Sequence, residues 1–404
     1  MKTIKDSVHD HIEVAGVARD LLDTPPVQRL RHVKQLGTVD LVYPSANHTR
    51  FEHSLGVFHL ADRALSHLSI EGRQAERVRA AALLHDVGHG PYSHNLEGVI
   101  YRRTGKYHDD VDGLLATGAV AAVLEDHGLD PGRVAGLVAG AGELGQLVSG
   151  ELDVDRMDYL VRDAHHTGVP YGVVDHERLI RELRFVDGAL ALAAGNVQSA
   201  ESLLLARALM NPVVYNHHTA RIAKAMLQRA TERLLDGGLS GEELRRMDDH
   251  DLLAALRADE RTREDARRLS RRDLYKRGVW AELRDTPEAL LDVDHERIRE
   301  LEGEIAAGAD AERVILDVPG RPRMTESSTR VVVGGEARSL DRQSTLVEAL
   351  RTTQREQWRL GVYAPADVVE QVGRAAVGVL GLDVDGALVS DVRPGVHATL
   401  DEFE

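Results

Sequence analysis

The run Ala81–His94, AALLHDVGHGPYSH, delivers an adjacent imidazole and carboxylate, His85 and Asp86, from an apolar segment, and His89 and His94 follow shortly after. Gly88, Gly90 and Pro91 are helix-stop residues, so the spacing predicts that the pair sits on the last turn of a buried helix. A neutral imidazole beside a carboxylate suits a divalent transition metal. Four titratable groups this close to apolar surface also need partners, because unpaired buried charge is costly. The alternative is an exposed helix end that happens to carry histidines, and the apolar run before the pair argues against it.

Two further stretches offer polar groups at helical spacing. In ELDVDRMDYLVRDAHH (Glu151–His166), Leu152, Met157, Leu160, Val161 and Ala164 form one apolar face. Asp155, Tyr159 and Asp163, each four apart, line another, with Arg156 three before Tyr159. In Glu201–Arg221, Arg207, Asn211 and Tyr215 are again four apart, His217 follows, and Pro212 should kink the helix. Either face could be merely solvated. Together, two helices offering Arg, Tyr, Asp and His would line a pocket for phosphate and sugar.

The elements that must position these groups are mainly helical. Met1–Val14 reads as a short extended segment with a turn around Asp6–Asp10. Thr24 and Pro25 read as N-cap and first helical residue, and Leu30, Val33 and Leu36 continue at helical spacing. A second helix starts near Thr49, and a third runs from about Glu76 to Val87. Leu96–Val148 is mostly helical, with loops around Thr104–Asp110 and Asp130–Gly132. Within it, Gly140–Gly145 matches a dinucleotide fingerprint by spacing, but its helical flanks make a simple turn the better reading. Ala225–Asp285 is helical and charged. After Pro287, strand-like runs (Val314–Val318, Thr329–Val333, Leu360–Tyr363) alternate with helices (Glu296–Ala307, Leu346–Trp358, Pro365–Leu380), which predicts a small α/β or α+β subdomain. The acidic tail Asp383–Glu404 is expected to be peripheral.

Composition agrees with a folded globule: 404 residues, 43 % hydrophobic, no apolar run of membrane-spanning length and no signal-peptide pattern. With no cysteine, disulfide and thiolate chemistry are excluded, and any metal must be held by His, Asp or Glu. This fits a cytoplasmic setting. A net charge of −16 disfavours a broad nucleic-acid surface without excluding a small basic pocket.

In chain order, His53, the pair His85–Asp86 and Asp155 form H…HD…D, the signature of HD-domain metal-dependent phosphohydrolases. RFEHSLGV (Arg50–Val57), LLHDVGHGPYSH (Leu83–His94) and DVDRMDYLVRDAHH (Asp153–His166) resemble the deoxynucleoside triphosphate triphosphohydrolase (dNTPase) branch. With MKTIKDSVHDHIEV and DTPPVQRLRHVKQLG, the match extends over roughly residues 1–230 and is similar to the catalytic half of the SAM-and-HD-domain dNTPases, with no SAM domain expected ahead of it.

The resemblance implies an HD-domain helical core (1–230); with the pattern read above for the rest, the expected fold is mainly α, with a helical extension (231–285) and a smaller C-terminal α/β (α+β) subdomain with acidic tail (286–404). It implies one divalent ion (Mn, Fe, Mg, Ni, Co or Zn) on His53, His85, Asp86 and Asp155. His89, His94 and His108 match catalytic or supporting histidines, His94 handling a proton. Arg50, Arg156 and Arg207 fall where the triphosphate is held. Gln35, Tyr159, Asp163 and Tyr215 fall where the deoxyribose is held, and His217 is a pocket residue. Asp23, Gln28 and Arg31, with Lys2 and Lys5 at the rim, match an allosteric guanine-nucleotide site in a homo-oligomer, dimer or tetramer. The expected reaction converts a dNTP to deoxynucleoside and inorganic triphosphate. The alternatives are an HD nucleotidase or nuclease of other substrate choice, a nucleotide-sensing scaffold, and a nucleic-acid-binding module.

Overall fold

A computed structural model describes residues 1–322 and 329–383. The chain is mainly helical with small sheets, as the HD-core expectation requires, and it divides into two compact units. Of the described residues, the first comprises 1–220, 227–267 and 329–350; the second comprises 221–226, 268–322 and 351–383.

In the first unit, the N-terminal segment is a β-hairpin, Lys2–Asp6 paired antiparallel with Asp10–Val14. Pro25–Arg29 is a short helix with Thr24 in extended N-cap geometry, but the Thr24 hydroxyl turns back to the Leu21 carbonyl instead of capping. The helical spacing of Leu30, Val33 and Leu36 does not continue this helix. A 3-10 turn over Leu30–His32 ends it, and Lys34 bridges to Thr49. The periodic apolar residues instead record burial of an irregular segment, with Leu30 and Val33 fully enclosed.

Helix Arg50–His67 begins with a capping box in which Thr49 and Glu52 satisfy each other's backbone groups. Helix Gly72–Leu84 packs against it and ends one residue earlier than the His–Asp pair requires for a place on its last turn. His85 is therefore the C-cap, and Asp86 sits in the turn beyond it. That turn lets the pair leave the helix axis and face a neighbouring helix. The acidic stretch is helix Val154–Thr167, N-capped by Asp153 and closed by Gly168 at φ +76°. It crosses Arg50–His67 so closely at Gly56 that a Cβ there would lie 1.9 Å from Asp158 Oδ1.

Pro212 acts as expected. Helix Val197–Met210 gives way to a wide π-helical turn at Asn211–Tyr215, which carries Tyr215. The Gly140–Gly145 stretch is a short turn after helix Pro131–Val138 that runs directly into the first residues of helix Gly142–Val148. A hairpin at Leu183–Val186 and Ala189–Leu192, absent from the sequence reading, is joined in parallel at Leu192 to Arg330–Val333, which pairs with Glu336–Ser339.

The second unit is a three-stranded antiparallel sheet in the order Lys276–Glu282, Arg359–Ala364, Ile315–Asp317, covered by helices His295–Ala309 and Val369–Leu380. Its core holds Val279, Leu316, Val362, Ile305 and Val372. Lys276–Glu282 corrects the helical reading of Ala225–Asp285. Over seven residues periodicity cannot separate strand from helix, and pairing with Arg359–Ala364 decides. The tail beyond Asp383 lies outside the described residues.

Candidate active site

His53, one turn into its helix, and His85, capping the neighbouring one, bring their Nε2 atoms to 3.2 Å. Each imidazole is oriented from behind. His85 Nδ1 donates to the Ala82 carbonyl at 2.8 Å, and His53 Nδ1 faces Asp158 Oδ2 at 2.7 Å. Both Nε2 atoms are thereby turned toward the same point. Asp155 Oδ1 lies 2.8 Å from His53 Nε2 and 3.8 Å from His85 Nε2. Asp86 Oδ1 lies 3.3 Å from His85 Nε2, and its Oδ2 accepts from Arg50 Nη1 at 2.7 Å. The structure thus brings together all four residues of the H…HD…D pattern.

This donor set fits a divalent cation. Two imidazole nitrogens facing each other at 3.2 Å, ringed by carboxylate oxygens, concentrate lone pairs where only a positive charge relieves them. The same imbalance shows in protonation. Burial pulls the His53 imidazolium down, yet its bonds to Asp155 and Asp158 and the nearby Asp86 charge outweigh it and hold it up at about 10. Burial raises Asp86, but Arg50, His85 and His89 overcome that and keep it well below the usual carboxylate range. His53, His85 and Asp86 form one of two groupings among the described residues whose ligand atoms cluster tightly enough for an ion.

The second grouping is His89, His94, Glu97 and His108. His89 stacks on His108 with ring centres 4.1 Å apart, and His94 stands edge-on to both. His89 Nε2 is 3.3 Å from Asp86 Oδ1, which joins the two groupings. Glu97 binds His94 Nδ1 at 2.9 Å and His108 Nδ1 with its other oxygen. His108 therefore belongs with the other two histidines despite its distance from them in sequence. The His94 side chain is exposed, and desolvation by its neighbours lowers it; Glu97 outweighs burial at His108 and raises it.

Along helix Val154–Thr167, two turns beyond Asp155, the Asp163 carboxylate is fixed by His48 Nε2 at 2.8 Å and by the Tyr215 hydroxyl, which donates at 2.9 Å. Tyr159 meets the Tyr215 ring edge-on at 6.3 Å. Burial raises both phenols, and the Arg207 charge acts on both in the opposite direction, which places Arg207 beside them. Arg156 donates to the Gly150 carbonyl at 3.2 Å. Gln35 and Arg50 are buried, and Gln35 Oε1 and Arg50 Nη2 have no hydrogen-bond partner among the described residues. His217 caps helix His218–Asp236, its Nδ1 accepting from Thr219 N at 3.2 Å.

Of the residues expected at an allosteric site, Lys2 pairs with Asp23, Lys5 with Asp10, and Arg31 Nε donates to Gln28 Oε1 at 2.9 Å while stacking on Phe51. Sequence reasoning missed His48, Glu97 and Asp158. The signal for Asp158 was present: Asp158 and Arg162 are an i,i+4 pair in an otherwise apolar stripe, and both are fully buried.

An HD-domain model matches residues 50–163, and an HD-associated-region model matches 174–391, more than half of the chain. The chain belongs to the HD-domain family and carries its HD-associated region. It is an HD-domain phosphohydrolase. An uncharacterized Methanocaldococcus jannaschii protein, MJ1154, is 32 % identical over 388 residues, covering 92 % of this chain and 81 % of that one. The Dictyostelium discoideum deoxynucleoside triphosphate triphosphohydrolase SAMHD1 homolog is 32 % identical over 254 residues, 57 % of this chain and 48 % of its own length. The chain thus matches about half of that relative. A phosphohydrolase from Bacteroides thetaiotaomicron, BT4208, superposes with TM-score 0.72 at 27 % identity over 90 % of this chain and 100 % of that one. No helix among the described residues is long and apolar enough to cross a membrane.

Proposed function

We propose that this HD-domain phosphohydrolase is a dNTP triphosphohydrolase, releasing deoxynucleoside and inorganic triphosphate. The observation that carries the reading is the layout of one helix. Asp155 at one end joins the His53–His85–Asp86 group, and Asp163, roughly 12 Å further at 1.5 Å per residue, is held by His48 and Tyr215. A nucleotide anchored by its α-phosphate at the first end reaches the second with its sugar. The name of the Dictyostelium relative supports the same substrate class.

His53, His85, Asp86 and Asp155 would hold the divalent ion (Mn, Fe, Mg, Ni, Co and Zn all suit the donors), which when bound supplies Lewis acidity toward a phosphate oxygen and lowers the pKa of water. Arg50 turns its partnerless Nη2 to a phosphate oxygen, and Arg156 and Arg207 add charge along the triphosphate. Water attacks the α-phosphorus, the bond to the 5′ oxygen breaks, and His94, oriented by Glu97, gives that oxygen its proton. His89 and His108 flank it.

The Asp163 oxygens each keep a lone pair beyond their present bonds and accept from the 3′-hydroxyl. Gln35 and Tyr159 border the sugar, and Tyr215 leaves little room for a 2′-hydroxyl. His217 borders the same pocket. Lys2, Asp23, Gln28 and Arg31 would take a guanine-nucleotide activator in a homo-oligomer.

The test is kcat/KM for dGTP, GTP and a 3′-deoxy analogue on wild type and Asp163→Ala. Wild type should reject the analogue strongly and GTP more weakly, since a site built to pair a hydroxyl discriminates more than one that excludes it. Asp163→Ala should lose dGTP hydrolysis with metal content intact. Equal turnover of the 3′-deoxy analogue would reject the sugar assignment.

A further inference from the structure

The three clustered histidines ride on two irregular segments, and both are tied to one short piece of the HD-associated region. His94 follows Tyr92 and Ser93, consecutive non-glycine residues at φ +54° and +55°. This is a conformation that survives only where its surroundings impose it. Two clamps impose it. Asp249, 5 % exposed at the start of helix Asp249–Ala258, accepts from Tyr92 N at 2.6 Å with one oxygen and from Lys34 N at 3.1 Å with the other. Ser93 Oγ donates to the Lys34 carbonyl at 2.6 Å and accepts from Arg50 Nε at 2.7 Å, so Asp249 holds both strands of this junction.

Four residues earlier, Arg245 donates from Nη2 to the carbonyls of Tyr107, at 3.2 Å, and Asp110, at 2.6 Å, which flank His108. Between the two, the Met247 carbonyl accepts from Arg29, whose other nitrogen binds the carbonyls of Val87, at 2.9 Å, and His89, at 2.6 Å. A single five-residue stretch, Arg245–Asp249, thus reaches the segments that carry His89, His94 and His108. None of its bonds is made to His53, His85 or Asp155.

We propose that Arg245–Asp249 is the positioning element of the histidine cluster: the HD-associated region sets the aim of the proton-handling imidazoles, and it meets the metal-binding group only at second hand, where Ser93 holds Arg50 and His89 approaches Asp86. Resting on the proposed triphosphohydrolase reading for what the histidines do, this gives Asp249 and Arg245 a role chiefly in the rate, since neither bonds a substrate-holding side chain directly. Asp249 acts by accepting two N–H groups, so an amide can replace half of its function and a methyl none.

The experiment compares wild type, Asp249→Asn, Asp249→Ala and Arg245→Ala. Each magnesium-loaded protein is read by the 13C–1H resonances of its labelled histidine rings, by metal content, by thermal midpoint and by steady-state dGTP hydrolysis. The expected result for Asp249→Ala is displaced His94 and His89 signals, unchanged His53 and His85 signals, full metal content, and kcat down about 10- to 100-fold with KM within about twofold. Asp249→Asn should fall between it and wild type, and Arg245→Ala should move His108 most. The ring resonances report without turnover, so an enzyme inactive on dGTP would remove the substrate reading while still testing the clamp. Should Asp249→Ala not fold, the other two variants decide. Unmoved His94 and His108 resonances in folded variants would overturn the proposal, as would an Asp249→Asn as impaired as the alanine variant with losses that follow thermal midpoint alone.

Discussion

Glu97 shows how one carboxylate can hold two histidines in different states. Burial would raise its pKa, but the bonds to His108 and His94 outweigh that and keep it far below the usual glutamate range, so it is ionised at any working pH. It raises His108 and offsets part of the desolvation that lowers His94. Glu97→Gln removes that charge, and both imidazoles then lose protons at lower pH. If a protonated ring serves the 5′ oxygen, the alkaline limb of kcat against pH moves to lower pH in the variant, and an unmoved limb would remove Glu97 from the proton path. The stability sign is the reverse of a histidine's. The stabilisation from ionised Glu97 is full above the ordinary glutamate pKa and fades as pH falls toward its lowered value. Glu97→Gln should therefore lose less stability than wild type in acid unfolding. That His53, His85, Asp86 and Asp155 come together was legible because the H…HD…D pattern restricts residue type and order. Glu97 and His48 were not, because a carboxylate or imidazole that orients another side chain has no spacing of its own in sequence.

At the scale of elements, the site depends on how closely two helices approach. The absence of a side chain at Gly56 admits Asp158 and Arg162, which are paired at 2.9 Å; Asp158 also reaches His53, and Arg162 reaches Asp6 of the N-terminal hairpin. The hairpin completes the group through His9, whose Nε2 meets Asp158 Oδ1 at 2.6 Å. A methyl at Gly56 would collide with groups that cannot move without breaking this network. Gly56→Ala should cost about 1–3 kcal/mol of stability, the usual range for overpacking, seen as a lower thermal midpoint with reduced metal content; a midpoint equal to wild type would show that the helices have slack. Long helices with strong caps, such as Arg50–His67 behind Thr49 and Glu52, were readable from local sequence. The failures were short segments. Leu30–Leu36 left the helix and Lys276–Glu282 became a strand, because over so few residues tertiary partners outweigh periodicity.

For the whole molecule, a net charge of −16 disfavours a broad nucleic-acid surface, while Arg50 is buried and Arg156 and Arg207 are half-buried. The mainly α class with smaller sheets was legible because long periodic segments dominate the chain. The sharing of residues 329–350 with the first unit was not, because it depends on a parallel strand pairing at Leu192 and Val331. Regulation belongs to this scale. Arg31, stacked on Phe51 at 3.6 Å and bonded to Gln28, presents a guanidinium beside the short Pro25–Arg29 helix. If a guanine nucleotide binds there between subunits, GTP should raise both activity and sedimentation coefficient, and Arg31→Ala should abolish both responses with metal content unchanged. Full activity without added nucleotide would remove the regulatory part.

The central claim concerns which bond is broken. Metal-loaded protein is incubated with each of the four dNTPs, and the products are separated by ion exchange and identified by 31P resonance, with a chelator-stripped sample as control. Deoxynucleoside and intact inorganic triphosphate in equal amounts, absent from the stripped sample, is the predicted result. Deoxynucleoside mono- or diphosphate with pyrophosphate or orthophosphate would show that a bond other than the one between the 5′ oxygen and the α-phosphorus is broken, and contradict it.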